Sequence, residues 1–477
     1  MTHPQVRSPA TPWLVLTLIA LATLAFGAVY PWAYLPLFVA ATTIGVIGIG
    51  QYGVVPTLRP VVVGLALLSI TVAIQLIPLP ATFVNAISPS TRGLMNSYDL
   101  GFVSDAEWLR MSIDPARTRI ALFALVALGI YVIGLASLLD ARGLRLLPRG
   151  LALVAVPLAL FAIYSRQHNN GLIYGFWEPL DGGGADQAGP FINRNHFGGW
   201  IVMSLCVMIG WLLGKIERVP RVSQKRSPIM ADEIGAVLLM ATAIAFGTIA
   251  LFWIVSRSAI TSFGAAVVVF AWFVVKRRHM NPARRMLVLV ALGAVIIAAA
   301  SFRGIDMLAR WFVDERSLLS RIDAWRDGWN VVRDFPVLGT GLNTYSPAML
   351  LYQEHNPGFH MAQAHNDYLQ LVAEGGVIVV LAAAGTVILL INAIRRTLRA
   401  ASIEARGYWV RAGSAVGLMA IAFQEIAEFS LQIPANAFLF CTLAALTVTP
   451  VRSGTRAGII PRGNIDVPED SAGAALS

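Results

Sequence analysis

Apolar residues run along this chain in long stretches broken by short polar segments, over nearly its whole length. About 20 apolar residues, rising 1.5 Å each, cover the roughly 30 Å of hydrocarbon in a bilayer, so each such stretch predicts a membrane-crossing helix. About twelve are predicted, at 13–30, 33–50, 60–77, 118–139, 150–165, 196–214, 234–255, 257–275, 286–301, 371–391, 411–431 and 435–449. Pro31-Trp32 joins the first stretch directly to the second and no small-residue cleavage site follows, so the first reads as a membrane helix rather than a removable leader. The expected class is all-α, a polytopic integral membrane protein.

The polar segments are unequal in length. Outer loops are expected at 78–117 and 166–195 between spans of the 1–301 region, and the largest at 302–370. Three more spans fill 371–450, and 451–477 reads as an unstructured tail. A loop of that size is far longer than an ordinary connection and marks a place where function concentrates. Within it Leu318, Ile322, Trp325, Trp329 and Val332 recur at steps of three and four, the stripe of an amphipathic helix. At 100° per residue Asp323 and Asp327 point away from that stripe, whereas Arg321 sits at its edge, roughly 60° from the centre, and is expected to face protein or membrane surface. Asp334-Phe335-Pro336 ends the helix and Gly339-Thr340-Gly341 makes a turn. Asp181-Gly182-Gly183-Gly184 reads as a flexible linker.

Composition agrees with the pattern. With 57% hydrophobic residues, 13% charged residues and a mean hydropathy of +0.68, the chain cannot close into a soluble domain. Its net charge of +10 has a membrane explanation. The cationic segments Lys215–Arg226, Lys276–Arg285 and Arg395–Arg411 alternate with the long outer loops, so they are expected on the cytoplasmic side facing anionic headgroups, with both termini cytoplasmic. Nucleic-acid binding is discounted. Cys206 and Cys441 fall inside spans and read as packing residues, without a disulfide framework or thiolate metal site.

Candidate chemistry gathers at the outer ends of the spans. Arg257, in Ser256-Arg257-Ser258-Ala259, interrupts a long apolar stretch; a guanidinium there marks the turn between helices, or snorkels, pairs or binds an anion. His365 precedes Asn366 and Asp367, where the cap of the next helix is expected, and is either a packing residue or a proton acceptor. Asn193-Arg194-Asn195-His196 lines the start of another span, offering several donors to a sugar or phosphate, or simple anchoring with Asn195 as a cap. Glu425 and Glu428 lie on one face of the eleventh span, placed to neutralise an arginine or to act on substrate. His355, His360 and His365 are five residues apart, roughly 140° around a helix and broken by Pro357, so no metal site is expected from them.

Together, Ser256-Arg257-Ser258-Ala259, Asn193-Arg194-Asn195-His196-Phe197, Ser320-Arg321-Ile322-Asp323-Ala324-Trp325 with Phe335-Pro336-Val337-Leu338-Gly339-Thr340-Gly341, and Ala364-His365-Asn366-Asp367-Tyr368-Leu369 ending in Glu374-Gly375-Gly376 resemble the O-antigen ligase and polysaccharide polymerase superfamily of bacterial envelopes. The motifs cover roughly residues 190 to 380. The resemblance implies metal-independent, cofactor-free glycosyl transfer at the periplasmic face of the inner membrane. The donor would be an undecaprenyl-diphosphate-linked glycan and the acceptor a hydroxyl on lipid A core or a growing glycan. It implies that Arg257 and Arg321 bind the diphosphate and that His365 is catalytic. Asn193, Arg194, His196, Asn366 and Arg326 are further candidates for substrate binding. The segment Val377-Ile378-Val379-Val380 lacks the additional glycines of some ligases, so ligase and polymerase readings both stand. A flippase is disfavoured, because mid-span charge is sparse and no internal repeat is seen.

Overall fold

A computed structural model describes residues 8–180, 186–218, 228–277, 280–303, 316–355, 358–401 and 405–450. The glycine linker at 181–184 and the tail lie outside those residues. The chain is mostly helical, and every apolar stretch falls on a helix. The helices that carry the argument are α1 (Thr11–Leu24), α2 (Pro31–Tyr52), α3 (Arg59–Ile74), α4 (Ala81–Ile87), α5 (Ser90–Tyr98), α6 (Pro115–Leu138), α7 (Gly143–Gln167), α8 (Arg194–Arg218), α9 (Pro228–Trp253), α10 (Arg257–Lys276), α11 (Pro282–Arg303), α12 (Arg316–Asp334), α13 (Tyr345–Tyr352), α14 (Asp367–Ala400), α15 (Ala405–Gln424) and α16 (Pro434–Val448). Among the described residues, eight helices are long and apolar enough to cross a membrane, and α1 and α16 are shorter apolar helices.

α8 is the axis of the bundle and is almost wholly enclosed. Its closest neighbour is α15, and small residues set the approach: a Cβ on Gly210 would lie 2.4 Å from Trp409 O, and one on Gly413 2.5 Å from Cys206 O. α14 stands at the opposite extreme, with most of its apolar surface turned outward to lipid. Alternate connections meet at opposite ends. At one end Arg277 pairs with Glu217 (3.0 Å) and Lys215 with Glu233 (2.5 Å). At the other, Ser256 Oγ donates to Asn195 Oδ1 (2.7 Å).

Two of the long polar segments, 78–117 and 302–370, contribute to one layer over that second end. α5, Ile113, α12, α13 and the start of α14 share a small core of Leu94, Val331, Phe335, Tyr345, Met349 and Ala364. A two-residue antiparallel ribbon pairs Leu79 with Leu109 and Pro80 with Trp108, a minor departure from the all-α expectation. The layer is fastened to the bundle through the glycine motifs. Gly339 (φ +65°), in a turn, and Gly376 (φ +59°), at a kink inside α14, lie so close to each other's segment that a Cβ on either would fall 2.2 Å from Glu374 C and 2.4 Å from Val337 C, respectively. Thr340 N donates to Ala373 O, Gly341 N to Glu374 O and Val377 N to Pro336 O. Gln75, fully buried, donates to Leu338 O (2.6 Å) and Glu374 O (2.9 Å) and accepts from Leu342 N (3.0 Å). The Glu374 carboxylate accepts from Asn343 N and Tyr345 N. These motifs hold the outer layer in place.

Three expectations are corrected. The first stretch does not stay helical to residue 30: α1 stops at Leu24, and Phe26, Gly27 and Ala28 turn with positive φ to seat Phe26 among Tyr30, Tyr174 and Trp177. Glu425 and Glu428 are not on a span face, because α15 ends at Gln424 and the chain turns so that both carboxylates meet partners. Asp327 does not face water. The returning chain at 353–355 covers that side of α12, and Asp327 accepts from Glu354 N, His355 N and His355 Nδ1 (2.6 Å).

Candidate active site

A cleft of about 420 Å³ opens where the outer layer meets the bundle, lined by Asn193, Arg194, Asn195, Arg257, Ser258, Ser320, Arg321 and His365, with Asp186 and Glu428. Five of the sequence candidates, from four separate segments, therefore face one space: Asn193, Arg194, Arg257, Arg321 and His365.

Each is placed by local backbone chemistry. Asn193 begins α8, its Oδ1 accepting from Asn195 N (2.8 Å), so the cap is Asn193 rather than Asn195. The Asn195 side chain instead accepts from Ser256, whose hydroxyl oxygen also accepts from Ala259 N and caps α10. Arg257 is thus the first residue of a capped helix, and Val255, just before, takes φ +57°, a costly conformation for a β-branched residue. His365 repeats the arrangement: it has φ +48° and precedes Asn366, whose side chain accepts from Tyr368 N (3.1 Å) and Leu369 N (3.0 Å) and caps α14. Both turns are strained and both point a charged or titratable group at the cleft.

Glu428 ties the two sides together. Its side chain is wholly enclosed; Oε1 lies 2.5 Å from Arg321 Nη2 and accepts from Ser258 Oγ (3.2 Å), while Oε2 lies 3.9 Å from His365 Nδ1. Desolvated carboxylates need such partners, because an unpaired one is expensive to bury. Arg194 lies 3.6 Å from Asp186 at the rim. The Phe429 ring lies edge-on between the imidazoles of His365 (4.9 Å) and His196 (4.6 Å) and limits how far either tilts.

Other candidates lie elsewhere. His196 is buried behind Phe429 and does not reach the cleft; its helix-start position suggested a donor, but its side chain turns into the core. Arg326 and Asn366 line a neighbouring groove. His355 pairs with Asp327, and His360 Nε2 lies 3.0 Å from Ser346 Oγ, so the three loop histidines have separate surroundings. No group of three or more His, Cys, Asp or Glu able to hold a metal ion occurs among the described residues. Sequence reasoning missed Ser258, Ser320 and Asp186 as lining residues; Ser258 sits inside the Ser256–Ala259 motif, one turn-position from Arg257.

The arrangement concentrates fixed positive charge and one imidazole at one end of the helical bundle. Planar guanidinium groups match phosphate oxygens, and an imidazole exchanges protons near neutral pH. No curated protein matches the chain. Residues 241–384, the stretch that supplies Arg257, Arg321 and His365, match the family model described as O-antigen ligase.

Proposed function

We propose that the cleft transfers a glycan from an undecaprenyl-diphosphate carrier to an acceptor hydroxyl, at the periplasmic side of the inner membrane, with both termini cytoplasmic. The observation that carries this reading is the convergence of Arg257 and Arg321, from segments far apart in sequence, on one cleft with His365. As the glycosidic bond to the carrier breaks, negative charge grows on the leaving diphosphate, and two preorganised guanidinium groups stabilise it. The acceptor O–H bond breaks as the new C–O bond forms, and His365 takes the proton. A single displacement inverts the anomeric centre.

The preferred acceptor is lipid A core, which makes the protein an O-antigen ligase; a polysaccharide polymerase uses the same chemistry on a growing glycan. Deletion followed by analysis of surface glycan and carrier-linked intermediates separates them. Long carrier-linked chains with no polymer on lipid A core identify a ligase, and single-repeat products a polymerase. His365→Ala and Arg321→Ala variants that insert normally and keep full transfer would overturn the catalytic assignment.

A further inference from the structure

A cavity of about 310 Å³ lies between α8, α9, α10 and α11, towards the end of the bundle away from the cleft, and its lining residues are all apolar. Ile209 and Ile216 of α8, Ile244 of α9, Val267 of α10, and Val288 and Ala291 of α11 form its walls. Closely packed interiors leave few voids of that size, because the lining atoms forfeit dispersion contacts. At hydrocarbon depth the molecules at hand to fill it are acyl chains rather than water.

The bundle is cationic at that end. Arg284, Leu287, Val288 and Ala291 follow the i, i+3, i+4, i+7 spacing of one helix face, so Arg284 stands on the same stripe of α11 as the cavity wall. It donates to Ile216 O (3.4 Å) and Glu217 O (3.2 Å) in the last turn of α8, and Ile216 itself lines the cavity. Arg285 Nη2 donates to Arg277 O (3.0 Å). Backbone carbonyls thus hold both guanidinium groups in place. Arg277 pairs with Glu217 (3.0 Å), whose carboxylate also accepts from Trp409 Nε1, and Lys215 pairs with Glu233 (2.5 Å). Among the described residues of this cluster, Lys215, Arg277, Arg284 and Arg285 stand against Glu217 and Glu233, so positive charge is in excess. A basic segment by itself is ordinary at a lipid surface. It does not account for a guanidinium fixed by helix carbonyls on the very stripe that walls an apolar cavity.

We infer that this cavity is a binding site for an anionic phospholipid of the leaflet opposite the cleft, which is the cytoplasmic leaflet in the orientation proposed above. One acyl chain lies against Val267, Val288 and Ala291, and the phosphate pairs with Arg284 and Arg285. A zwitterionic lipid meets the same apolar wall, but its ammonium group opposes the excess positive charge beside it. The site shares no lining residue with the cleft, and no bond is made or broken in it. Its connection to the cleft is α10: Val267 stands ten residues, about 15 Å, along the helix that begins at Arg257, so the bound chain packs against the element that presents that arginine.

Native mass spectrometry of the detergent-solubilised full chain tests this with phosphatidylglycerol and phosphatidylethanolamine of identical acyl chains. The wild-type chain is expected to retain phosphatidylglycerol about tenfold better, roughly 1.4 kcal/mol. Arg284→Gln/Arg285→Gln should bring the two lipids level, and Arg285→Gln alone, which leaves the Arg284 contacts to α8 in place, should lose part of the preference. Ala291→Phe fills the cavity without touching the arginines and should weaken retention of both lipids, with Ala291→Leu intermediate. Equal retention of the two lipids by wild type overturns the proposal, as does a preference that survives loss of both arginines. Wild-type retention of phosphatidylglycerol by Ala291→Phe shows headgroup contact at the surface only and overturns it too. Undecaprenyl diphosphate, through its long isoprenoid tail, is the rival occupant. It should leave bound phosphatidylglycerol in place; displacement from wild type, with weaker carrier binding by Ala291→Phe, assigns the cavity to the carrier tail instead.

Discussion

Glu428→Gln probes the cleft at its most constrained point. The carboxylate is enclosed, with Arg321 at 2.5 Å, Ser258 at 3.2 Å and His365 at 3.9 Å. At an effective dielectric of about 20, unit charges 4 Å apart attract by about 4 kcal/mol, and deleting one partner of a buried pair costs about 3–5 kcal/mol. The Arg321 side chain keeps 18% exposure at the cleft. Water recovers part of that cost, so Glu428→Ala is expected to lose about 2–3 kcal/mol of stability, and the glutamine variant less, because it keeps shape and one acceptor oxygen.

Binding and turnover should respond in opposite directions. Removing a negative charge beside an anion site favours the diphosphate, whereas releasing Arg321 and His365 from their shared anchor misplaces both. A displacement of 1 Å at a reacting group lowers rate about 100-fold. Glu428→Gln is thus expected to bind undecaprenyl diphosphate at least as tightly as wild type and to transfer glycan about 100-fold more slowly. Donor titration and single-turnover transfer in nanodiscs measure the two separately, and Glu428→Asp should recover part of the rate. Wild-type turnover in the glutamine variant, or proportional loss of binding and turnover, refutes a positioning role for Glu428.

Gly376→Ala sets a Cβ 2.4 Å from Val337 C at φ +59°, ψ −170°, a conformation reserved almost entirely for glycine, adding about 1–3 kcal/mol of backbone strain to a clash. The outer layer should loosen, with limited proteolysis between 316 and 355 accelerating; unchanged cleavage would show that the glycine contact does not fasten it. The hydrogen bond and charge of Asp327 hold the His355 imidazole above its ordinary pKa. Because the folded value is the raised one, the stabilisation is complete below the unfolded value of about 6.5 and lost as pH rises through the folded value. Amide protection at 353–355, corrected for intrinsic exchange, should fall over that range and His355→Asn should abolish the trend; pH-independent protection in wild type would contradict it. EDTA should leave transfer by the purified protein unchanged, and loss of turnover on chelation would sink the metal-independent reading.

Features that depend on local sequence were legible, and features that depend on distant partners were not. Each apolar stretch announced a helix because span length is fixed by bilayer thickness. The Arg257, Arg321 and His365 positions stood out because a charge or imidazole at the edge of hydrocarbon needs a reason. Gln75 gave no such signal: it ends an apolar stretch and looks like ordinary interface, yet its amide serves three backbone groups more than 260 residues away. Asp327 was misread because helical periodicity shows which face is apolar and cannot show that a returning loop will cover the other. The early end of α15 was hidden for a related reason, since the pull on Glu428 comes from Arg321, 107 residues earlier.

Arg194 and Arg257 are the first residues of α8 and α10, and His365 stands two residues before α14. The N-termini of α8 and α10 therefore open on the cleft, whereas the first turn of α14 is closed by Asn366 and by Glu425 O. The end of such a helix carries a partial positive charge of about half a unit, which favours an anion within the first turn. The capping side chains Asn193 and Ser256 each satisfy one first-turn donor while leaving the axial field directed at the cleft. Positive backbone ends and guanidinium groups then act on the same small volume, and Glu428, placed on the Arg321 and His365 side, keeps that volume from accumulating uncompensated charge when no diphosphate is bound. The strained turns at Val255 and His365 follow from this design: to start a helix facing the cleft immediately after another segment ends, the chain must reverse within one or two residues, and a left-handed residue before the cap is the shortest way to do so.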